Sequence, residues 1–266
     1  MREDLMCRYT TLGVGGAARV LIAEKQEDLS GGVILGGGSN VLIGEKNLPD
    51  FIINKTSGSV FSGDGVYAPS GEKMRRLCAL STLKGLGGLE WAWGLPGSLG
   101  GAIKGNAGAL GGSIGDLVEK VLVQRGSKKL WLDKTECAFG YRRSGLTDSD
   151  VILAATLRLE KRGFAEIESN LLAAKRARRN QPKGKSAGCI FKNPPSGSIG
   201  KMLDELGLKG KRSGGAIISP VHANFIINQG NATPYDVYSL IVTAEEAIEK
   251  AFGFKPEREI KIYGDF

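Results

Sequence analysis

The chain has little aromatic character and few sulfur or imidazole groups. Aromatic residues make up 7% of it, and there is one histidine, His222. Its four cysteines, Cys7, Cys78, Cys137 and Cys189, are widely spaced and form no C-x-x-C. That spacing argues against a zinc site and a disulfide framework and fits free thiols in a reducing cytoplasm. No stretch approaches the ~18 uninterrupted apolar residues of a membrane span, so no membrane partner is expected. Glu3 and Asp4 fall where a signal peptide would have its apolar core, so secretion is not expected either. The formal net charge of +8 points to an anionic partner. Binding of single-stranded nucleic acid needs aromatics interleaved with the charge. Here Lys175-Arg176 and Arg178-Arg179 are the only tight basic cluster, so a phosphorylated small molecule is expected and nucleic acid is not. Part of the excess charge simply serves solubility.

Glycine is what the chain has in quantity, 40 of 266 residues. Two runs concentrate it: Leu35-Gly36-Gly37-Gly38-Ser39-Asn40-Val41-Leu42-Ile43, and Gly94 to Gly108. Glycine permits positive φ and lets a flat or anionic ligand reach the main chain. Successive N–H groups in such loops form concave anion sites. Neither run is a dinucleotide fingerprint, because Ser39 to Ile43 reads as a turn into a strand and not the start of a helix. No G-x-x-x-x-G-K-[ST] is present. Two structural loops in a glycine-rich chain are the alternative to a phosphate-bearing cofactor gripped from two sides.

The periodicity predicts strands at 19–23, 33–35 and 51–53, a small α/β unit over residues 1–55. A helix from Glu72, ending near Gly85, and a hairpin of 118–123 with 129–132 follow. A long strand over 151–159 closes a second unit, 56–162. A third, 163–266, begins with a basic helix at 165–179. It continues with a short helix at 199–206, a strand at 223–228, a helix from Thr233 to about Ala251 and a last strand at 259–263. Thr233, Pro234 and Asp236 supply an N-cap, a proline at the first helical position and an acid in the first turn.

Seven segments, in order, resemble one family, the UDP-N-acetylenolpyruvoylglucosamine reductases, in the short form without an extra substrate-capping insertion. They are Thr10 to Ala17, Leu35 to Ile43, Gly94 to Gly108, Phe139-Gly140-Tyr141-Arg142-Arg143-Ser144, Ser186 to Pro194, His222 to Asn228 and Glu259 to Gly264. The resemblance implies an α+β protein, a two-part FAD-binding α+β region followed by a third α/β substrate-binding domain. It implies FAD held non-covalently by Gly36, Gly37, Gly38, Ser39, Asn40 and Val41, and by Pro96, Gly97, Ser98, Gly100, Gly101, Asn106 and Gly108. It also implies NADPH as hydride donor, an enolpyruvyl ether of a UDP-sugar as substrate and UDP-N-acetylmuramate as product. Another FAD-dependent oxidase or dehydrogenase of the same fold is the alternative, and would need the glycine loops but not the catalytic residues together.

Three residues are expected to carry the chemistry. Arg142 offers a rigid fork of donors for a carboxylate and for enolate-like charge, with a surface or interdomain salt bridge as its alternative. Cys189 stands where many family members carry serine. A thiol of ordinary pKa, about 8.5, is mostly protonated at neutral pH and can act as an acid. Ala187-Gly188 before it and Lys192-Asn193-Pro194 after it suggest a tight exposed turn. Glu259 is the implied active-site acid, with Glu257 as the alternative register. Arg178, Asn193 and His222 are candidate sugar or diphosphate contacts, although His222 reads equally as a hydrogen-bonded structural histidine. It lies outside both glycine loops, which argues against a covalent flavin link. No metal ligand set is apparent.

Overall fold

A computed structural model describes all 266 residues. The chain folds as two compact units, each drawn from separated segments. One comprises 21–37 and 51–179, and the other 1–20, 38–50 and 180–266.

The first unit is built on a five-stranded antiparallel sheet, ordered 128–133, 118–125, 150–158, 65–69 and 60–62. The strands at 118–125 and 128–133 form the expected hairpin, Val123 opposite Leu130. A register shift between Val118 and Lys120 lets Val118 and Val121 share the buried face despite their odd spacing. Helices α1 (Met74–Leu83), α2 (Leu99–Lys104) and α3 (Ile114–Leu117) join that face. Met74, Leu77, Leu99, Ile103, Ile114, Val121 and Leu157 form one core, each buried side chain of this size contributing about 1.5–3 kcal/mol. Leu122, Val151 and Leu153 pack instead with Ala23, Leu29 and Ile52, beside the parallel pair Val33–Leu35 and Phe51–Asn54. Helix α4 (Phe164–Arg179) also belongs here, because its Leu171 packs on the larger core. In the sequence reading the same helix opens the region 163–266.

In the second unit, α5 (Ile199–Glu205) and α6 (Pro234–Phe252) pack with a three-stranded antiparallel sheet of 212–213, 216–218 and 226–228. Helix α6 follows the sequence signals closely. Thr233 Oγ1 accepts from Asp236 N–H at 3.1 Å, and an Asp236 carboxylate oxygen accepts from Thr233 N–H at 2.9 Å. Gly253 ends the helix in the left-handed region, φ 74°. Val237, Leu240, Ile241, Ala244 and Ile248 make its buried stripe. The strand Val41–Ile43 pairs in parallel with Lys261–Tyr263.

Three predicted elements are shorter than their apolar runs. Helix α1 begins at Met74, since the Glu72 carboxylate is used just before it, accepting from Ser59 Oγ, Gly58 N–H and Arg76. Burial pushes that carboxyl up, and these bonds more than offset it, leaving it below the usual carboxylate range. The run 223–228 is strand only over Ile226–Asn228, because Asn224 turns its amide to Phe191. The last strand begins at Lys261.

Candidate active site

The two glycine loops meet inside the first unit. A methyl at Gly37 would stand 2.5 Å from Gly97 Cα, and one at Gly36 would overlap the Ser98 side chain. Glycine there lets one backbone lie directly on the other. The second loop is fixed from beneath: Met74 N–H donates to Gly97 O at 3.2 Å, Leu99 N–H to Glu72 O at 2.8 Å and Gly100 N–H to Ser70 O at 2.7 Å. A methyl at Gly100 would press on Ser70 at 2.9 Å. Gly101 differs from these, since the nearest atom to a methyl there is Ser98 Oγ at 3.8 Å. Packing explains Gly36, Gly37 and Gly100 but not Gly101.

Ser98 occupies the N-cap position of α2, yet its hydroxyl makes no capping bond. It is 3% exposed and its Oγ has no protein partner. A buried hydroxyl without a partner costs about 1–3 kcal/mol. The hydroxyl is therefore poised for a polar group brought to the open side of Gly101. This fits the phosphate-bearing cofactor that the sequence suggested.

Helix α2 ends in a Schellman turn. Ala107 N–H donates to Ala102 O at 2.8 Å and Asn106 N–H to Ile103 O at 3.2 Å, with Asn106 left-handed at φ 41°. The expectation for Asn106 was a cofactor contact. Its side chain instead bonds the protein twice: Nδ2 donates to Gly140 O, and Oδ1 accepts from Gly115 N–H, both at 2.9 Å. Gly140 begins a tight turn, closed by Gly140 N–H to Arg143 O at 3.0 Å and Arg143 N–H to Gly140 O at 3.2 Å. Arg142 sits within it at φ 53°, an uncommon conformation for a side-chain-bearing residue. Its guanidinium lies 5.4 Å from the Tyr141 ring centroid. Arg142, Tyr141, Asn106 and the 108–113 hairpin line a pocket of about 380 Å³, with Ser113 and Asp116 on its wall. Gly108 thus belongs to the Arg142 pocket, where a methyl would meet Gly112 O at 2.6 Å.

Arg178 is in α4, in the same unit, 3.6 Å by its Cδ from where a Gly94 methyl would stand. Burial holds its guanidinium below the usual arginine range. Pro96 lies between Gly94 and Gly97, both at positive φ.

In the second unit, Gly38 has φ 58°, and a methyl there would overlap Tyr9 O. Thr11 N–H donates to Gly38 O at 3.0 Å, and its hydroxyl donates to Ser186 O at 2.7 Å. Thr11 thus joins the glycine run to the cysteine segment. Asn40 Nδ2 donates to Glu259 O at 2.9 Å, and Lys261 N–H to Asn40 O at 3.0 Å. Ser39 and Val41 flank that contact, Val41 being buried at the start of its strand. The first loop therefore places Glu259, and Glu259 N–H in turn donates to Ile190 O at 2.7 Å, next to Cys189.

Cys189 is half-buried and bridges Phe225 in strand fashion, with Gly188 at φ 77°. It is thus held at a paired edge, not in the exposed turn expected from its neighbours. Asn224, 2% exposed, holds the chain two residues beyond Cys189 by accepting from Phe191 N–H and donating to Phe191 O. The side chains next to Glu259 have charged partners: Glu257 pairs with Lys192 of the cysteine segment at 2.6 Å, and Arg258 with Glu245 at 2.6 Å. Both glutamates thus touch the Cys189 segment, Glu257 at Lys192 and Glu259 at Ile190, and the backbone bond of Glu259 is the nearer to Cys189 in the chain.

Asn193 is exposed, and its Oδ1 accepts from Ile199 N–H at 3.1 Å, capping α5. His222 is half-buried with Nδ1 accepting from Asn224 N–H at 3.2 Å. A methyl at Gly200 would stand 3.1 Å from that Nδ1, so α5 packs on the ring. Burial pushes the imidazole below its usual range, the effect being partly offset by a backbone bond and reinforced by Lys209. Both side chains thus accept a backbone N–H from within the protein. Thr11, Asn224 and Tyr141 carried no sequence signal beyond lying in quoted segments.

Residues 180–263 match the family model described as the UDP-N-acetylenolpyruvoylglucosamine reductase C-terminal domain. The chain is 38% identical to the UDP-N-acetylenolpyruvoylglucosamine reductase of Thermus thermophilus over 92% of this chain and 94% of that one. It is 38% identical to that of Thermotoga petrophila over 99% and 98%. The crystal structure of the Thermus caldophilus UDP-N-acetylenolpyruvylglucosamine reductase superposes with a TM-score of 0.88 at 36% identity, covering 98% of each chain. The protein is an α+β oxidoreductase. It belongs to the UDP-N-acetylenolpyruvoylglucosamine reductase family.

Proposed function

We propose that this protein reduces the enolpyruvyl ether of UDP-N-acetylglucosamine to UDP-N-acetylmuramate, using NADPH and non-covalently bound FAD, as a cytoplasmic step of peptidoglycan precursor synthesis. The observation that carries the cofactor assignment is the buried Ser98 hydroxyl beside the open face of Gly101. Gly36, Gly37, Pro96, Gly97, Ser98, Gly100 and Gly101 would hold the cofactor, with Gly38, Ser39, Asn40 and Val41 continuing the first loop. When bound, FAD supplies relay of a hydride from NADPH to the terminal alkene carbon of the substrate.

The chain's own residues account for the rest. Hydride addition leaves negative charge on the carbon bearing the ether oxygen, delocalised into its carboxylate. The Arg142 guanidinium offers two parallel N–H donors to that carboxylate and stabilises the charge as it develops. The Cys189 thiol donates the proton that quenches it, and solvent reprotonates the thiolate. Glu259, set beside Cys189 through Ile190, orients the donor or polarises the substrate carboxylate. Arg178 would offer a desolvated cation to the diphosphate, where a charge-assisted bond is strongest.

The two half-reactions test this reading. Purified protein should be yellow, bleach with NADPH and recover colour on addition of the enolpyruvyl substrate without oxygen. Arg142→Lys keeps the charge but loses the fork, so it should bleach normally and recover slowly. Equal slowing of both steps would remove Arg142 from the substrate carboxylate.

A further inference from the structure

We infer that Asn106 is a positioning residue for Arg142, transmitting the geometry of the second glycine loop to the arginine turn. The inference rests on the reading of Arg142 above. Three observations carry it. The Schellman turn at the end of α2 fixes the Asn106 backbone, and so the direction of its side chain. Asn106 is 9% exposed and its amide spans two elements, α3 through Gly115 N–H and the arginine turn through Gly140 O. Gly140 O also accepts from Arg143 N–H, so the oxygen held by Asn106 is the one that closes the turn around Arg142.

The same helix end grips the following residues. Ser144 Oγ donates to Lys104 O at 2.8 Å, and Lys104 Nζ donates to Leu146 O and Thr147 O at 3.0 and 2.7 Å. The segment 140–147 is therefore tied at both sides to the C-terminal end of α2, whose N-cap is Ser98. Arg142 has a left-handed backbone, which persists only where the surroundings impose it. Without the Asn106 bond, the turn can relax and swing the guanidinium off its line. A misplacement of about 1 Å costs on the order of 100-fold in rate.

Two variants separate positioning from folding and from cofactor contact. Glycine accepts the left-handed position, so Asn106→Gly preserves the Schellman turn and removes both side-chain bonds. Asn106→Asp keeps the acceptor for Gly115 and sets an oxygen against Gly140 O. Both holoenzymes should keep full flavin loading and normal bleaching by NADPH. Recovery with the enolpyruvyl substrate should slow about 100-fold. Adding either change to Arg142→Ala should cost nothing further, since residues acting as a unit are not additive. Additive losses, or loss of flavin from Asn106→Gly, would overturn the inference. Hydrogen exchange of the Gly140 and Arg143 amides gives a reading independent of activity. It should accelerate about tenfold in Asn106→Gly, the worth of one hydrogen bond. Unchanged exchange overturns the inference even if the reaction were another, whereas a wild-type flavin that substrate cannot reoxidise overturns the assigned reaction.

Discussion

At the scale of single residues, the cysteine that stands for serine is the sharpest test. Cys189→Ala should slow flavin reoxidation by roughly 10²–10⁴-fold, the usual worth of a general acid. Cys189→Ser should recover much of it, and both should bleach with NADPH at the wild-type rate in stopped flow. A serine variant as slow as the alanine variant would give the thiol a role other than proton donation. His222 makes a different prediction. Its Nδ1 accepts from Asn224 N–H, so protonation would set two hydrogens against each other. A histidine whose folded pKa is lowered contributes stability that is present above its unfolded pKa, near 6.5, and lost as pH falls through the folded value. Melting temperature should therefore drop as pH falls below about 6.5, and the slope should shrink in His222→Gln. The dual reading of this histidine in the sequence arose because its acceptor role depends on Asn224, two positions on, which periodicity does not reveal.

At the scale of elements, the second glycine loop separates structural glycines from one that faces open space. Gly101→Leu should keep the far-ultraviolet spectrum of the folded protein and lose the yellow colour, because the leucine enters space that no protein atom fills. Retained flavin would take the loop out of the cofactor site. Helix α6 offers a stability test: Thr233→Ala removes one half of a reciprocal cap and should cost about 1 kcal/mol, read as a lower urea midpoint at constant slope. That helix was legible because its cap, its stripe and its Gly253 stop are all local signals. The strands at 2–5 and 60–69 were not, since Val60–Ser62 has a mostly exposed face and Arg2–Leu5 no apolar alternation. The short helix α2 was hidden inside the glycine run. Of the candidate site, the loops and the Arg142 turn can be located in the sequence, but the bonds of Asn106 to Gly140 and Gly115 and of Asn40 to Glu259 cannot. Asparagine amides serve backbone and ligand equally, and only coordinates show which one is near.

At the scale of the whole molecule, a cofactor that binds only the folded chain should stabilise it. At a free concentration 100 times Kd the gain is about 2.7 kcal/mol. The melting temperature of protein stripped of flavin should therefore rise with added FAD and stay flat for Gly101→Leu. A rise undiminished by that substitution would place the cofactor elsewhere. The two compact units draw on separated segments because compactness depends on pairings between distant parts of the chain, which a one-dimensional pattern does not encode. Leu42 illustrates this: its apolar neighbours in sequence mark a strand, yet its core partners include Leu12 and Ile260.

The bond from Asn40 to Glu259 spans 219 residues of chain, and the strands beside it lie parallel. Parallel pairing at such separation cannot begin until the ribosome has delivered both partners. A nascent chain that has emerged only as far as α4 can already collapse the sheet of 60–158 around its own core. Its first glycine run, meanwhile, has no C-terminal strand to lie against. During synthesis, Val41, Leu42 and Ile43 are thus an apolar edge awaiting a partner, open to chaperones or to a neighbouring chain. The feature that sets Glu259 beside the cysteine segment in the finished protein therefore depends on chain delivered late in synthesis.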